Sequence, residues 1–314
     1  MSEHRRSVTV VVPTHRRPVS LAALLEAVAA QADPGVPWSV LVIDNEDAPG
    51  AERVFAEHVD ALPVPARLVR EPQKGASRAR NRGIAEADGE IIAFLDDDVI
   101  PHPDWLREVI GPIVAGRCEG VGGRVELDES VPRPSWLWGS ATAYLAAYDR
   151  GDQEIQLDDD DYLLTANAAF LTSLLRMTPG FDPALGPQPG TPTVNDDVDI
   201  CRSFRSVGGR LRYAPAAVVV HELPPERLRV GYMVRRSYAQ GRSDYLLDRD
   251  RLAAHRFGGL KGRGIEAIAD VGRIGRRGPW RPWVAMALLT SCSRSAGFTR
   301  EVFRHNVSKP RARV

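Results

Sequence analysis

The chain has 314 residues, 43% of them hydrophobic, and a formal net charge of zero, a composition typical of globular proteins that excludes the disordered and fibrous classes. Its three widely spaced cysteines include no Cys-x-x-Cys pair, which argues against a disulfide scaffold or a structural zinc site and favours a reducing compartment. Acidic side chains predominate up to Cys201 and basic ones from Arg202 onward, so the second part of the chain suits either an anionic partner or contact with the acidic part.

Buried strands alternate with amphipathic helices in the first part of the chain. The patterns predict strands over residues 7–13, 39–43, 66–70 and 90–95, and helices that carry Leu21, Leu24, Leu25 and Val28 or span residues 51–59 and 77–87. Such alternation is typical of βαβ units around a parallel sheet. Ligands of these sheets bind beyond the carboxyl ends of the strands, which is where Thr14, Asp44 and Asp96 lie.

Beyond Pro101 the pattern is less regular. It predicts a helix over 105–115, a strand over 120–127, mixed signals over 163–175, a loop over 179–192, a helix over 196–207 and a strand over 211–220 that ends at His221. Residues 227–247 and much of 251–303 have the pattern of basic amphipathic helices. We therefore predict an α/β catalytic domain over residues 1–225 and a basic helical region over residues 226–314.

The apolar runs of the chain are short. The run at residues 8–12 stops at Pro13, and the run at residues 283–289 falls short of the ~20 residues that cross a bilayer. We expect a cytoplasmic protein. The basic helix around Arg235 and Arg236 is compatible with three roles: peripheral contact with the inner face of a membrane, binding of a diphosphate, or shielding of the acidic part.

Three consecutive carboxylates, Asp96, Asp97 and Asp98, follow an apolar strand. Adjacent like charges repel, and partial burial raises their pKa values, so such a cluster is costly without a cation. Carboxylate oxygens together with a diphosphate form a suitable site for a divalent metal ion. An exposed acidic turn explains the triplet equally well when it is considered alone.

A second acidic cluster, Asp196, Asp197 and Asp199, opens the helix predicted over 196–207. Helix capping by Asp196 accounts for one or two of these acids, because carboxylates are favoured at helix amino termini. It does not account for three beside a Gly/Pro-rich loop. We therefore expect one of them to act as a general base on an acceptor hydroxyl or amine.

The order of these segments resembles the family 2 glycosyltransferases of the GT-A fold. The resemblance covers residues 8–221 and rests on VVVPTHRRP, LVIDN, GASRARNRGIAEADGEIIAFLDDD, PGFDP and NDDVDICRSF. It implies a Rossmann-like, mainly parallel sheet flanked by helices, with the basic helices as a C-terminal extension. It also implies an enzyme that uses Mg²⁺ or Mn²⁺ and moves a sugar, with inversion, from a nucleotide-sugar donor based on UDP or dTDP.

The resemblance further implies roles for single residues. In the donor site, Pro13 and Thr14 would flank the base, Asp44 would hydrogen-bond it, Lys74, Arg78 and Arg80 would close over base, ribose and phosphates, and Asp96 and Asp97 would complete the site. Asp98 would bind the metal, and Asp197 would be the catalytic base. Asp196 replaces the glutamate common in the family, so the choice between these two neighbours stays open. His221 is either a structural hydrogen-bonding residue or a further metal ligand.

Other classes fit the sequence less well. A sugar-nucleotide nucleotidyltransferase would have a glycine-rich loop after the first strand, where this chain has Thr14-His-Arg-Arg-Pro18, and a dehydrogenase would have G-x-G-x-x-G. A non-enzymatic binder of anionic polymers would use the basic part, which carries no nucleic-acid reader motif. We expect no nucleic-acid partner. The acceptor, whether a glycan, a lipid-linked sugar or a small molecule, stays open.

Overall fold

The computed structural model of the chain describes residues 6–46, 48–137, 139–188, 191–192, 194–254 and 282–307. The chain divides into two compact units, each built from segments that are separate in sequence. The first unit comprises Met1–Asp128, Ala146–Pro189 and Asp196–Glu222. The second comprises Glu129–Leu145, Gly190–Asn195 and Leu223–Val314.

Strands and helices alternate through the first unit, and helices dominate the second. The strands in the described residues are β1 (Val8–Thr14), β2 (Trp38–Asp44), β3 (Ala66–Arg70), β4 (Ile91–Leu95), β5 (Val99–Pro101), β6 (Gly120–Leu127), β7 (Ile155–Gln156), β8 (Asn167–Leu171), β9 (Pro187–Gln188), β10 (Thr191–Pro192) and β11 (Leu211–His221). The helices are α1 (Pro18–Ala29), α2 (Gly50–His58), α3 (Ala76–Glu86), α4 (Trp105–Val114), α5 (Thr172–Leu175), α6 (Asp196–Ser206), α7 (Val230–Ala254) and α8 (Pro282–Val307). Short 3₁₀ helices lie at Val59–Ala61, Gly139–Leu145 and Pro225–Leu228.

The first unit is built on a mixed sheet with the strand order β3-β2-β1-β4-β8-β6-β11-β5, and β7 pairs with β11. Pairing is parallel from β3 through β2 and β1 to β4, and again between β6 and β11. The strand β8 is antiparallel to both β4 and β6. The carboxyl ends of β1, β2, β3 and β4 therefore lie along one edge of the sheet.

Both faces of the sheet are buried, which is why β1 has a continuous run of β-branched residues. Val8, Val10 and Val12 belong to a cluster with the buried faces of α1, α2 and α4. Val11 belongs to a second cluster with α3, α5 and α6. Edge-to-face aromatic pairs fill the second cluster, with ring centroids 5.1 Å apart for Phe170 and Phe204. The helices thus form a layer on each side of the sheet.

The pairing of β11 with β6 changes register between Ala214 and Val218. Three residues of β11 in this bulge, Pro215 among them, have no partner on β6, and proline could not donate to the ladder in any case. Before the bulge Tyr213 packs in the cluster with α3 and α6, whereas after it Val219 packs in the cluster with α1 and α4. The bulge therefore exchanges the faces on which odd-numbered side chains lie.

In the second unit α7 and α8 approach each other very closely. A Cβ atom at Gly241 would lie 1.7 Å from the carbonyl oxygen of Arg294, and one at Gly297 would lie 2.0 Å from that of Tyr238. Only glycine allows the two backbones to approach this far. Beside the contact, the rings of Tyr245 and Phe298 pack edge-to-face at 5.6 Å.

A buried carboxylate organises the polar contacts of this unit. Asp244 of α7 accepts hydrogen bonds from Asn195 (3.1 Å), Gln240 (3.2 Å) and Arg294 (2.6 Å). The oxygen of the Asn195 side chain in turn accepts a bond of 2.6 Å from Gln240. Buried polar groups paired in this way define a unique packing of the helices.

The predicted elements agree with the structure to within a few residues, and the α/β class is confirmed. Two short strands, β5 and β7, were not predicted. Two further strands of two residues each, β9 and β10, lie in the segment that we predicted as a loop over 179–192. The predicted basic helices correspond in part to α7 and α8, while residues 255–281 lie outside the described residues. Among the helices described, none combines the length and apolar character that crossing a bilayer requires.

Candidate functional site

The site forms at the sheet edge where β1, β2 and β4 end. Thr14 and Asp44 are register partners at the ends of β1 and β2. In the pairing of β1 with β4, Val11 lies opposite Phe94, which brings Asp97 to Thr14 three residues further on. The Thr14 hydroxyl donates to Asp97 Oδ2 at 2.8 Å.

Asp97 is buried among three donors. Besides the Thr14 hydroxyl, Asp97 Oδ2 accepts the backbone amide of His15 at 3.1 Å, and Oδ1 accepts Nη1 of Arg17 at 2.8 Å. Burial nevertheless raises the pKa of Asp97 to about 6, and repulsion from Asp98 acts in the same direction. The donors oppose this shift without cancelling it.

Asp98 lies beside His221 because β5 folds back along the end of β11. The residue after Asp98 opens β5, where Val99 is the antiparallel partner of His221, and the Glu222 amide donates to the Asp98 carbonyl at 2.9 Å. His221 Nε2 is 3.6 Å from Asp98 Oδ2, and both side chains are buried. Nη1 of Arg17 lies 2.8 Å from the same oxygen.

Asp98 and His221 form a donor pair that suits a divalent cation. His221 Nδ1 lies 2.7 Å from the carbonyl oxygen of Glu222, an acceptor, so Nδ1 carries a proton and Nε2 is the nitrogen that faces Asp98. The cationic nitrogen of Arg17 at Asp98 and Asp97 shows that this position accepts positive charge. Within the described residues no group of three or more His, Cys, Asp or Glu side chains is arranged as a metal site. A cation held here would therefore take its other ligands from phosphate oxygens and water, as Mg²⁺ commonly does.

Arg80 joins the two acidic segments of the chain. Its Nη2 donates to Asp96 Oδ1 at 2.7 Å, and its Nη1 donates to Asp196 Oδ2 at 2.9 Å. The guanidinium is buried and lies 5.6 Å from the ring centroid of Phe181. Burial and the neighbouring Asp197 raise the pKa of Asp196, which the charge of Arg80 opposes.

Asp197 has a different set of partners. Its Oδ1 accepts both the backbone amide of Thr165 (3.1 Å) and the Thr165 hydroxyl (2.5 Å). Burial raises its pKa, and Arg80 and the two Thr165 donors lower it. No hydrogen bond to Oδ2 of Asp197 is made by the residues that the structure describes. The arrangement suits a carboxylate that takes a proton from a substrate.

Asp44 lies at the end of β2 in a buried position. Its Oδ1 accepts the backbone amide of Glu46 at 3.0 Å, which forms a tight turn after the strand. Burial raises the pKa of Asp44, against the effect of that hydrogen bond. The buried Glu46 in turn accepts the Ala51 amide at 3.0 Å at the start of α2.

Asn45 ties the segment between β3 and α3 to the site. Its Nδ2 donates to the carbonyl oxygens of Glu71 and Gln73, and its Oδ1 accepts the Gly75 amide, each at 2.8 Å. Gly75 has a φ of 131°, which favours glycine, and it immediately precedes α3. This segment and the first turn of α3 carry Lys74 and Arg78.

The predicted donor residues divide into two sets. In one set, contacts link Thr14 to Asp97, His221 to Asp98, and Arg80 to Asp96 and Asp196, and Asp197 follows Asp196 at the start of α6 with its contacts to Thr165. Lys74 is exposed, and the hydrogen bond described for Arg78 goes to the Gln73 side chain. Pro13 is buried within β1 as the partner of Ile43.

Sequence reasoning did not assign Arg17, Asn45 or Thr165. Arg17 and Asn45 stand in motifs that were recognised, but their partners lie elsewhere in the chain, after β4 for Arg17 and after β3 for Asn45. Thr165 precedes β8 by two residues, and no motif marks it. Its role became visible only from its contact with Asp197.

The chain was compared with known proteins. The profile of the family described as Glycosyl transferase family 2 matches residues 9–171. Glycosyltransferase AglE of Haloferax volcanii is 34% identical over 122 residues, which are 38% of this chain and 39% of that protein. The pre-mycofactocin glycosyltransferase of Mycobacterium tuberculosis is 29% identical over 227 residues, 69% of this chain and 43% of that protein. The matched regions are thus about two fifths of the length of these relatives.

Among solved structures, the mannosyltransferase PcManGT from Pyrobaculum calidifontis, determined in complex with GDP-Man and Mn²⁺, superposes with a TM-score of 0.61. The match covers 96% of this chain and 88% of that one at 17% sequence identity. At this identity the likeness concerns the fold.

Proposed function

Because this chain belongs to glycosyl transferase family 2 and has the GT-A fold, we propose that it transfers a sugar from a nucleoside-diphosphate sugar to a hydroxyl or amine of an acceptor, with inversion at the anomeric carbon. The observation that carries the proposal is the position of Arg80. This buried guanidinium connects Asp96, from the segment expected at the donor, with Asp196, the neighbour of the expected base. A donor-binding function and an acid–base function thus share one site.

The donor would bind along the edge formed by β1 and β2. Thr14 and Asp44 are buried at the two strand ends, as expected for residues that contact the base. Asn45 holds the segment with Lys74 in place, so that it can cover the ribose and phosphates. We favour UDP or dTDP as the nucleotide. Since the Pyrobaculum enzyme binds GDP-Man, GDP belongs in any test.

Asp98 and the lone pair of His221 Nε2 would hold Mg²⁺ or Mn²⁺. When bound, the cation supplies positive charge to the diphosphate as its bond to the sugar breaks. Glu222 contributes by fixing the tautomer of His221 through its carbonyl oxygen. Asp98 is the carboxylate of the triplet that faces His221, which supports it as the residue that binds the metal.

Asp197 would act as the general base. Two donors from Thr165 orient its Oδ1, so that Oδ2 can take the proton of the acceptor hydroxyl or amine. The deprotonated acceptor atom then attacks the anomeric carbon, and the bond to the diphosphate oxygen breaks on the opposite side. Asp196 is occupied by the ion pair with Arg80, which makes it the weaker candidate for the base.

A screen of nucleotide-sugars tests the proposed donor site. We expect one of the UDP-, dTDP- or GDP-sugars to raise the melting temperature, and to do so more strongly with Mn²⁺, since ligands that bind the native state stabilise it. Asp98→Asn should abolish the contribution of Mn²⁺. Asp88→Asn, which alters an exposed carboxylate on the same unit, serves as the control. Metal-dependent stabilisation that survives in Asp98→Asn would exclude the assigned metal ligand.

A pair of substitutions tests the proposed base. Asp197→Asn should lower kcat roughly 10²–10⁴-fold at saturating donor while donor affinity stays within a few-fold, because only acceptor activation needs this carboxylate. Asp196→Asn should reduce kcat less and lower stability instead, since it leaves Arg80 paired with Asp96 alone. Circular dichroism checks the folding of both variants. If Asp196→Asn is the inactive variant and Asp197→Asn is active, the base is Asp196.

A further inference from the structure

We propose that Arg17 is a built-in counter-ion of the metal site: its guanidinium neutralises Asp98 when no cation is bound, and it must leave this carboxylate when a divalent cation binds. The inference rests on the proposed role of Asp98 as a metal ligand. It assigns to Arg17 a function that is separate from the chemistry of transfer.

The geometry places one nitrogen where positive charge is required. Nη1 of Arg17 lies 2.8 Å from Asp97 Oδ1 and 2.8 Å from Asp98 Oδ2. The same Oδ2 faces Nε2 of His221 at 3.6 Å. Nη1 of Arg17 therefore contacts the oxygen of Asp98 that faces His221. A cation held by Asp98 and His221 would bind this same oxygen. A divalent ion and a guanidinium on one buried oxygen would repel each other, so binding of the ion displaces Arg17.

Asp97 and Asp98 are both buried, so each loses a stabilising ion pair when Arg17 moves away. Asp97 keeps two other donors, the Thr14 hydroxyl and the His15 amide, when the guanidinium moves away. Asp98 is buried with only 5% of its surface exposed, and Arg17 makes the shortest ion pair described for it. A cation at Asp98 restores the charge balance that the departure of Arg17 removes.

Arg17 is able to leave because it is a surface residue. Its side chain is 41% exposed, whereas those of Asp97 and Asp98 are 6% and 7% exposed. It stands just before α1, on the segment that follows β1, and not within the sheet. By contrast Arg80, which pairs with Asp96 and Asp196, is buried and cannot move without opening the core. The two arginines thus divide into a permanent and a displaceable counter-ion.

The test measures binding of Mn²⁺ alone, by calorimetry and by the electron paramagnetic resonance signal of free Mn²⁺, without any nucleotide. We expect Arg17→Gln to bind Mn²⁺ about tenfold more tightly than the wild type, because the competing charge is gone. In the presence of a chelator Arg17→Gln should melt at a lower temperature than the wild type, and Mn²⁺ should restore the loss. Arg16→Gln removes the same charge from the adjacent exposed position and should change neither quantity.

Two results would overturn the proposal. One is wild-type or weaker affinity of Arg17→Gln for Mn²⁺, and the other is an equal gain in Arg16→Gln, which would indicate a general effect of surface charge. Should Arg17→Gln not fold, Arg17→Met replaces it: this variant also removes the competing charge, so its affinity for Mn²⁺ should exceed that of the wild type. An unchanged affinity of Arg17→Met would then refute the displacement.

Asp98→Asn separates this proposal from the proposed function. If Asp98→Asn binds Mn²⁺ like the wild type, the metal site lies elsewhere, and both the metal ligand assigned in the proposed function and the role of Arg17 are wrong. If Asp98→Asn loses binding and Arg17→Gln is unchanged, only the role of Arg17 fails. A crystal structure with Mn²⁺ and UDP gives an independent result: the distance from Arg17 Nη1 to Asp98 Oδ2 should no longer be that of an ion pair.

Discussion

At the residue scale, the carboxylates of Asp97, Asp196 and Asp197 are held by different sets of donors. Asp97 has a hydroxyl, an amide and an exposed guanidinium, Asp196 has a buried guanidinium, and Asp197 has a hydroxyl and an amide from one threonine. Burial raises the pKa of all three carboxylates, and their donors oppose this shift. For Asp197 the hydrogen-bonding donors are uncharged and both contact Oδ1, so they orient the carboxylate.

This difference predicts a pH effect at Thr165. Its hydroxyl stabilises the ionised form of Asp197 and lowers its pKa, so Thr165→Val should raise that pKa. Because the proposed base would act only when deprotonated, the acid limb of the profile of kcat against pH should move to higher pH. Thr172→Val removes another buried hydroxyl, which donates to the Gly89 carbonyl, and should leave the limb in place. An unmoved limb in Thr165→Val would mean that another group is the base.

The types of the site residues were predictable from the sequence, but most of their partners were not. Acidic clusters after a strand and at a helix start indicate a site because their repulsion requires a compensating charge. Which basic side chain pairs with which carboxylate depends on the register of the strands and on the position of β5, a strand of three residues. Arg80 was accordingly predicted at the donor, whereas its described contacts are to Asp96 and Asp196.

At the scale of elements, close approach of backbones at glycines defines the helical pair. Gly241 and Gly297 bring α7 and α8 together at a distance that no other residue permits. Close contacts of this kind add dispersion and Cα–H···O interactions along the helices. They also make the pair sensitive to a single methyl group.

Gly297→Ala should lower the free energy of unfolding by about 1–3 kcal/mol, because the new Cβ would lie 2.0 Å from the Tyr238 carbonyl oxygen. This cost exceeds the gain of about 1 kcal/mol that alanine brings to a helix. Gly231→Ala in α7 is the control, since the nearest atom to its Cβ would be 3.5 Å away on the flexible Arg235 side chain. Urea denaturation of both variants gives the comparison. Equal stability of the two variants would contradict the packing argument.

Element boundaries were predicted well wherever a period could develop. The strands β3 and β6 and the buried face of α1 match the expectation, since each has at least five residues of clear pattern. The strands β5 and β7, of three and two residues, are too short to show alternation. They form because each pairs with β11, which follows much later in the chain. A local sequence pattern cannot predict such a pairing.

At the scale of the whole molecule, acidic and basic side chains are unevenly distributed along the chain. Acidic residues predominate up to Cys201 and basic residues after it.

The strand order of the first unit was not predictable, because β8 joins two sets of parallel strands in antiparallel orientation and no local sequence pattern indicates this. Charge, by contrast, can be counted directly.

The basic part should bind anionic surfaces through non-specific electrostatics. We expect the protein to co-sediment with vesicles that contain phosphatidylserine at low salt and to be released at high salt, because counterions screen such contacts. Vesicles of phosphatidylcholine alone provide the control. Absence of binding at low salt would leave the arginines with a structural role, and salt-insensitive binding would indicate insertion of apolar groups instead.

The length of the bulge in β11 determines the face of the strand on which the His221 side chain lies. Side chains alternate along a strand, so the residues after the bulge keep the parity that its length imposes. Val219 and His221 share that parity, and it turns the imidazole towards Asp98. Insertion or deletion of one residue near Pro215 would reverse the alternation of the side chains that follow. The last side chain of the strand would then lie on the opposite face. A change of one residue at the bulge would in this way turn His221 away from Asp98 while each residue of the site stays unchanged.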